Sequence, residues 1–311
     1  MAEIIFGIDH GNGNMKGETS SFPCGIVRYT AQPGRFMNED ILEYEGAYYI
    51  LSETKMPFKA DKTVDDDYFI LTLFTLVQEA RKKNINLTGK DVVLGVGLPP
   101  ADFGQQAVGF KQYFIDHSRH GINFRMNDKP VSFYLKDVFV SPQNFAAVMC
   151  FKASLLKKYR TVNCIDIGDG TVDLLVIRNG KPDLSVRVSE RSGMAVLRSE
   201  ISNRIQQNYG IHLDSSDVEQ VLMGEETILE EEILKEIYRM ADDWVHMIIN
   251  KLHAHVTDFR TNPAIFLGGG SLLLKKQIEQ SPEFKYIEFI DDVKANAIGY
   301  EKLAVARIRR G

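Results

Sequence analysis

The sequence predicts an α/β protein of two lobes. Three observations lead to that class. Apolar runs of strand length alternate with apolar-periodic stretches of helical length along all 311 residues. One nine-residue pattern closes two of those strands, at 8–16 and again at 165–173. The chain is also longer than one small domain requires and can bury a substantial core.

Composition narrows the function classes. A hydrophobic content of 44% with 25% charged residues is that of an ordinary folded domain rather than a disordered or fibrous chain. A net charge of -5 exerts no global pull toward nucleic acid or acidic lipid. The three cysteines (Cys24, Cys150, Cys164) have no CxxC spacing, so neither a disulfide framework nor a zinc site is expected. Glu3 and Asp9 flank a short apolar run, which is wrong for a signal peptide. No stretch approaches the roughly 20 apolar residues that span a bilayer. These features predict a reducing, cytoplasmic setting.

The elements follow in order. Residues 3–9 (EIIFGID) read as a buried strand, short, apolar and closed by Gly and Asn. Residues 24–30 and 46–52 read as further strands, punctuated by Pro33, Gly34 and Gly46. Asp65, Asp66 and Asp67 precede an apolar-periodic helix over 68–84, where the acid run suits the helix cap and dipole. DVVLGVGLPP (91–100) is a strand ending in Gly-Leu-Pro-Pro, with a helix after it to about His117. Strands near 122–126 and 131–140 lead to a helix from about Asn144 to Lys158.

A strand, loop and strand fill 162–178, then a turn at Asn179–Gly180 and a strand at 183–189. From Met194, the residues Val196, Leu197, Ile201 and Ile205 fall at helical spacing. A longer helix is marked by Ile233, Ile237, Met240, Trp244, Ile248 and Leu252, with Glu230, Glu231 and Glu232 at its start and Trp244 in its core stripe. His246, His253 and His255 lie on or near it, but the last pair does not share a helical face, so no metal site is read there. AIFLGGGS (264–271) is a strand running into glycines. A helix over roughly 293–307 follows, and Arg307, Arg309 and Arg310 suit its C-terminal end.

The repeat carries the chemistry. Residues 8–16 and 165–173 both follow Ile-Asp-x-Gly-x-Gly-x-apolar-charged, each at the end of an apolar strand. Glycine lets main-chain N–H groups approach phosphate oxygens with no Cβ in the way. A carboxylate on each loop, Asp9 and Asp166, cannot face phosphate bare. It can do so through Mg²⁺, which usually keeps several waters. Lys16 supplies a point charge for the β- and γ-phosphates, and Asp173 stands at its place in the second copy. Two lobes, each giving one loop, would thus clamp a nucleoside triphosphate across a cleft. Gly268, Gly269, Gly270 and Ser271 offer a bare backbone for adenine or ribose. No GxxxxGK[ST] and no GxGxxG opening a helix is present, which excludes P-loop and Rossmann readings.

These segments resemble the actin, sugar-kinase and heat-shock chaperone superfamily. Its first phosphate hairpin, connecting helix, second phosphate hairpin, adenosine motif and final helix correspond in order to 7–17, 142–156, 164–174, 266–271 and 293–303. Within it, VVLGVGLPP and VSPQNFAA (140–147) resemble the prokaryotic actin-like ATPases of the ParM type, which drive plasmid segregation. The resemblance implies a two-lobed actin-like (ribonuclease H-like duplicated) fold with nucleotide in the interlobe cleft. Lobe I would comprise 1–160 plus 293–311, with a small subdomain at about 31–90, and lobe II 161–292.

It implies Gln143 as the residue orienting the attacking water and Asp166 as the support for magnesium and that water. Asp9, Gly11, Asn12, Gly13, Asn14, Lys16, Gly168, Asp169, Gly170, Thr171, Gly193, Glu219, Gly268, Gly269, Gly270 and Ser271 would contact nucleotide. Asp9 and Asp166 would hold Mg²⁺ through water. Asn12 and Asn14 stand where actin has a serine-bearing turn. The implied activity is hydrolysis of ATP or GTP at the β–γ bond, in filaments that nucleotide binding favours and hydrolysis destabilises, serving plasmid or DNA segregation. The implied partners are further copies of the chain and a DNA-binding adaptor, with neither direct nucleic-acid contact nor membrane. A small-molecule kinase on the same fold is the alternative, and a non-hydrolysing nucleotide sensor a third.

Overall fold

The computed structural model describes residues 3–34, 39–256 and 258–309. Arg310, read above as part of a basic helix end, lies outside them. The chain divides into two compact units, residues 1–150 with 294–311, and residues 151–293.

The first unit opens with β1 (Ile4–His10), β2 (Asn14–Lys16), β3 (Ser21–Pro23), β4 (Ile26–Tyr29), β5 (Ile41–Tyr44) and β6 (Ala47–Leu51). Helix α1 (Asp67–Lys82), β7 (Lys90–Leu98), α2 (Pro100–His117), β8 (Ile122–Met126), β9 (Lys129–Pro142) and α3 (Phe145–Phe151) follow. Its strands form a nine-stranded sheet in the order β3-β2-β1-β7-β9-β8-β5-β6-β4. β1, β7 and β9 run parallel, and the strands on either side of them are antiparallel. Helix α1 is buried along almost its whole length, because Tyr68 to Val77 carry hardly any solvent-seeking residue.

The second unit contains α4 (Ala153–Lys158), β10 (Thr161–Ile167), β11 (Val172–Arg178), β12 (Lys181–Glu190), α5 (Met194–Tyr209), α6 (Ser215–Met223) and α7 (Glu231–His253). It continues with β13 (Ala264–Leu267), α8 (Gly269–Leu273), α9 (Lys275–Gln280) and β14 (Ile287–Phe289). The five-stranded sheet runs β12-β11-β10-β13-β14, with β10, β13 and β14 parallel. Its core includes Ile165, Leu174, Ile201, Ile237 and Trp244. The final helix, α10 (Ala295–Ile308), returns to the first unit. There Gly7 of β1 leaves room for it: a Cβ on Gly7 would sit 1.9 Å from the carbonyl oxygen of Ala297.

Three local expectations change. The single helix expected over 144–158 is two short ones, because Lys152 leaves the helical region (φ -132°, ψ 28°). Its ammonium instead pairs with Glu288 at 2.7 Å. Asp66 stands at the N-cap of α1 without capping it. Its carboxylate takes His117, while Asp65 and Asp67 both bind Lys59. In α5 the apolar stripe is Met194, Leu197, Ile201 and Ile205, with Val196 at 38% exposure and Arg198 at 6% in its place. Among the described residues, no helix is long and apolar enough to cross a membrane.

Candidate functional site

The repeat seen in sequence is a structural repeat. β1 and β2 pair antiparallel with Asp9 opposite Lys16 and His10 opposite Met15. β10 and β11 pair with Asp166 opposite Asp173 and Ile167 opposite Val172. Aligned positions of the two motifs therefore occupy equivalent register positions in their hairpins. A Cβ on Gly11 would lie 2.6 Å from the carbonyl oxygen of Asn14, and one on Gly168 would lie 3.2 Å from that of Thr171, its counterpart. Gly168 N–H donates to that Thr171 oxygen at 2.9 Å.

In the first unit, three predicted residues converge. Asp9 is 4% exposed. Its Oδ1 accepts from Gln143 Nε2 at 3.2 Å, and its Oδ2 lies 3.9 Å from Lys16 Nζ. Gln143 follows the end of β9, where its N–H donates to the Leu98 carbonyl at 2.9 Å. Asn144 then turns the chain with φ 68°, and its N–H donates to Asn296 of α10 at 3.0 Å. The segment after Lys16 is anchored by Glu79 of α1. The Glu79 Oε1 accepts from the N–H and hydroxyl of both Thr19 and Ser20 at 2.6–3.0 Å. Burial works to raise the Glu79 pKa, but these donors, Ser20 foremost, hold it below the ordinary carboxylate value.

The same loop has neighbours that the sequence reading passed over. Lys62, from the segment between β6 and α1, is 5% exposed and donates from Nζ to the carbonyl of His10. Its ammonium sits 5.5 Å from the centroid of the Tyr68 ring, and Tyr68 donates from its hydroxyl to Asn12 Oδ1 at 3.3 Å. His10 is itself buried among Tyr68, Phe110 and Phe114 and bonds Thr72 Oγ1 at 2.8 Å. Burial, with the Lys62 charge adding to it, pushes the His10 pKa well below 6.5, so the ring is neutral.

In the second unit, the loop 168–171 is seated on the start of α5. The N–H groups of Gly193, Met194 and Ala195 donate to the carbonyls of Gly170, Gly168 and Asp169 at 3.3, 3.0 and 2.9 Å. Those loop carbonyls take the place of a side-chain cap on α5, which has none. A Cβ on Gly193 would lie 2.4 Å from the Asp169 oxygen, so only glycine fits. Arg198, one turn into the helix, binds Asp169 and reaches Glu219 of α6 at 2.8 Å. Two predicted residues are thus joined through a third that was not predicted.

Asp166 and Asp173 are 8% and 3% exposed and stand opposite each other. Thr171 Oγ1 donates to Asp173 Oδ2 at 3.0 Å, so its hydroxyl serves the hairpin. Gly268 takes φ +86°, and a Cβ there would come 2.3 Å from Asp166 Oδ1. Gly270 is pressed against Ile167 and Met194, while Gly269 faces open space. The Ser271 hydroxyl is buried and donates to the Leu267 carbonyl at 2.5 Å. Asn14 lies in β2, paired with Pro23.

The donor chemistry suits a hard cation. Asp166 and Asp173 stand opposite each other in one hairpin of the second unit, and carboxylate oxygens are the donors that Mg²⁺ takes. Among the described residues no group of three or more metal-type side chains gathers to grip an ion directly.

Residues 164–280 match the family model of the archaeal actin homologue MreB-like, C-terminal domain. No curated protein matches the chain. Among solved structures, Ta0583, an archaeal actin homolog in complex with ADP, superposes with a TM-score of 0.75 at 18% identity, over 97% of this chain and 99% of that one. The apo psk41 ParM protein gives 0.72 at 16% identity, covering 98% of each chain. ParM in a 15-stranded filament from Clostridium botulinum gives 0.75 at 20% identity, over 98% of this chain and 100% of that one. The chain therefore has the actin-like two-domain α/β fold, and its structural neighbours are ParM and archaeal actin homologues.

Proposed function

We propose that this protein is an actin-like ATPase that assembles into filaments under nucleotide control and moves plasmid or other DNA through a DNA-binding adaptor. One nucleoside triphosphate, ATP or GTP, is served by both hairpin loops. The observation that carries the reading is the buried Asp9–Gln143 contact of 3.2 Å. It places a carboxylate and a neutral amide together at the ends of β1 and β9, beside a glycine loop and Lys16.

Phosphoryl transfer asks mainly for positioning and charge neutralisation. Backbone N–H groups of the two loops hold phosphate oxygens, and Lys16 neutralises their charge. Gln143 orients the attacking water without deprotonating it. Its side chain is fixed by Asp9, and its backbone by Leu98. Asp9 and Asp166 would hold Mg²⁺ through its waters, and the ion supplies further neutralisation at the phosphates. Supporting the nucleotide assignment, one neighbour of the same fold was solved with ADP and another, a Bacillus thuringiensis ParM, with AMPPNP. Self-assembly is supported by neighbours solved as filaments. A small-molecule kinase is less well supported, because the position near the attacking group holds an amide rather than a carboxylate base.

The test is phosphate release alongside nucleotide binding. Asp166→Ala and Gln143→Ala should still bind ATP while releasing phosphate about 100-fold more slowly. Release at the native rate in both variants would remove the catalytic assignment.

A further inference from the structure

We propose that Arg198 is the positioning residue of the second hairpin loop, holding the Asp169 carboxylate so that the glycine backbone of 168–171 can take the polyphosphate of a nucleoside triphosphate. The assignment rests on the reading above that this loop binds phosphate.

The case begins with where the guanidinium lies. The buried positions of α5 are otherwise apolar (Met194, Leu197, Ile201 and Ile205), and Arg198 is 6% exposed among them. Bringing a charge out of water is costly unless it is paired, and an apolar side chain of similar size is often at least as stable in such a place. Among the described residues, Arg198 Nε finds no hydrogen-bond partner. Core packing therefore gives no reason for a cation here. What the cation touches does: one terminal nitrogen binds the Asp169 carboxylate, and the other donates to Glu219 Oε1 at 2.8 Å.

Asp169 stands between Gly168 and Gly170, in the middle of the loop. Main-chain N–H groups with no Cβ beside them can gather around an anion. A carboxylate among them competes for those donors and repels phosphate. Helix α5 holds it at two points. Ala195 N–H donates to the Asp169 carbonyl at 2.9 Å, and Arg198 takes the side chain from about one turn further on. The Asp169 side chain is 23% exposed against 7% for Arg198, so the cation lies deeper than the anion it holds. A charge-assisted pair fixes the direction of the carboxylate and offsets its charge. Glu219 grips the same guanidinium from α6, which fixes Arg198 in turn.

The experiment titrates ATP and, separately, adenosine into the full chain with excess Mg²⁺. It uses the unmodified protein, Arg198→Met, and Arg198→Met combined with Asp169→Asn. Arg198→Met keeps an apolar stem in the α5 stripe and removes the charge. It should lower ATP affinity about tenfold or more while adenosine affinity stays within about threefold. Adding Asp169→Asn should recover most of the ATP loss, because the amide has no charge left to hold. An unchanged ATP affinity, equal losses for both ligands, or a loss that Asp169→Asn does not recover would overturn the assignment and leave Arg198 a structural link between α5 and α6. If the unmodified protein binds no ATP, the phosphate reading of the loop falls and this one with it. Should Arg198→Met fail to fold, Arg198→Gln is read by the same ratio and the same recovery.

Discussion

The meeting of Asp9, Lys16 and Gln143 was legible in the sequence through one short motif and one family resemblance. Asp9 and Lys16 lie within one short motif that Asp166 repeats, and Gln143 lies in the VSPQNFAA segment that carries the resemblance. Arg198 and Lys62 were not, since what marks them is a neighbour distant in sequence. Arg198 left one trace: it stands four residues after Met194 and three before Ile201, in a stripe otherwise apolar. Lys62 left none, because its segment has no periodicity. His10 carries a prediction of its own. The folded protein holds it neutral with a pKa well below 6.5, whereas the unfolded chain binds its proton near that value. Stability is therefore fully present above pH 6.5 and falls as pH drops below it, by about 1.4 kcal/mol per pH unit until the folded pKa is reached. Urea unfolding at pH 7 and pH 5 should show this loss, and His10→Asn should reduce it. An equal loss in that variant would assign the effect elsewhere.

Long elements were read well, and short ones were missed for a physical reason. Helices α1 and α7 announce themselves by apolar spacing over many turns. β2, β5 and β14 have only three or four residues each, so their identity comes from the partners they pair with. Helix α6 could have been found: Asp214 and Asp217 form a capping box ahead of Val218, Val221 and Leu222. The break at Lys152 had no warning in a sequence of good helix formers. At this scale the seat of the second loop on α5 is the feature to test. Gly193→Ala would bring a Cβ within 2.4 Å of the Asp169 carbonyl oxygen. It should destabilise the second unit by about 1–3 kcal/mol and weaken ATP binding. Native stability with native affinity would mean that the loop does not depend on this contact.

At the scale of the molecule, the two units share one plan. Three antiparallel strands lead to two parallel ones in both, as β3-β2-β1-β7-β9 and as β12-β11-β10-β13-β14. The nine-residue repeat falls at the same hairpin of each plan. The duplication was therefore visible in sequence only at the glycine and aspartate positions of the two hairpins, while the rest of the shared plan is topology. In the first unit the sheet extends through β8, β5, β6 and β4, strands with no counterpart in the second.

Assembly is where the account can be tested most directly. The full chain, at high micromolar concentration with Mg²⁺, would be followed by light scattering and pelleting with AMPPNP, ATP, ADP or no nucleotide. The account predicts lasting assembly with AMPPNP, transient assembly with ATP, and little with ADP or without nucleotide. Scattering and pelleting that are the same in all four conditions would contradict it.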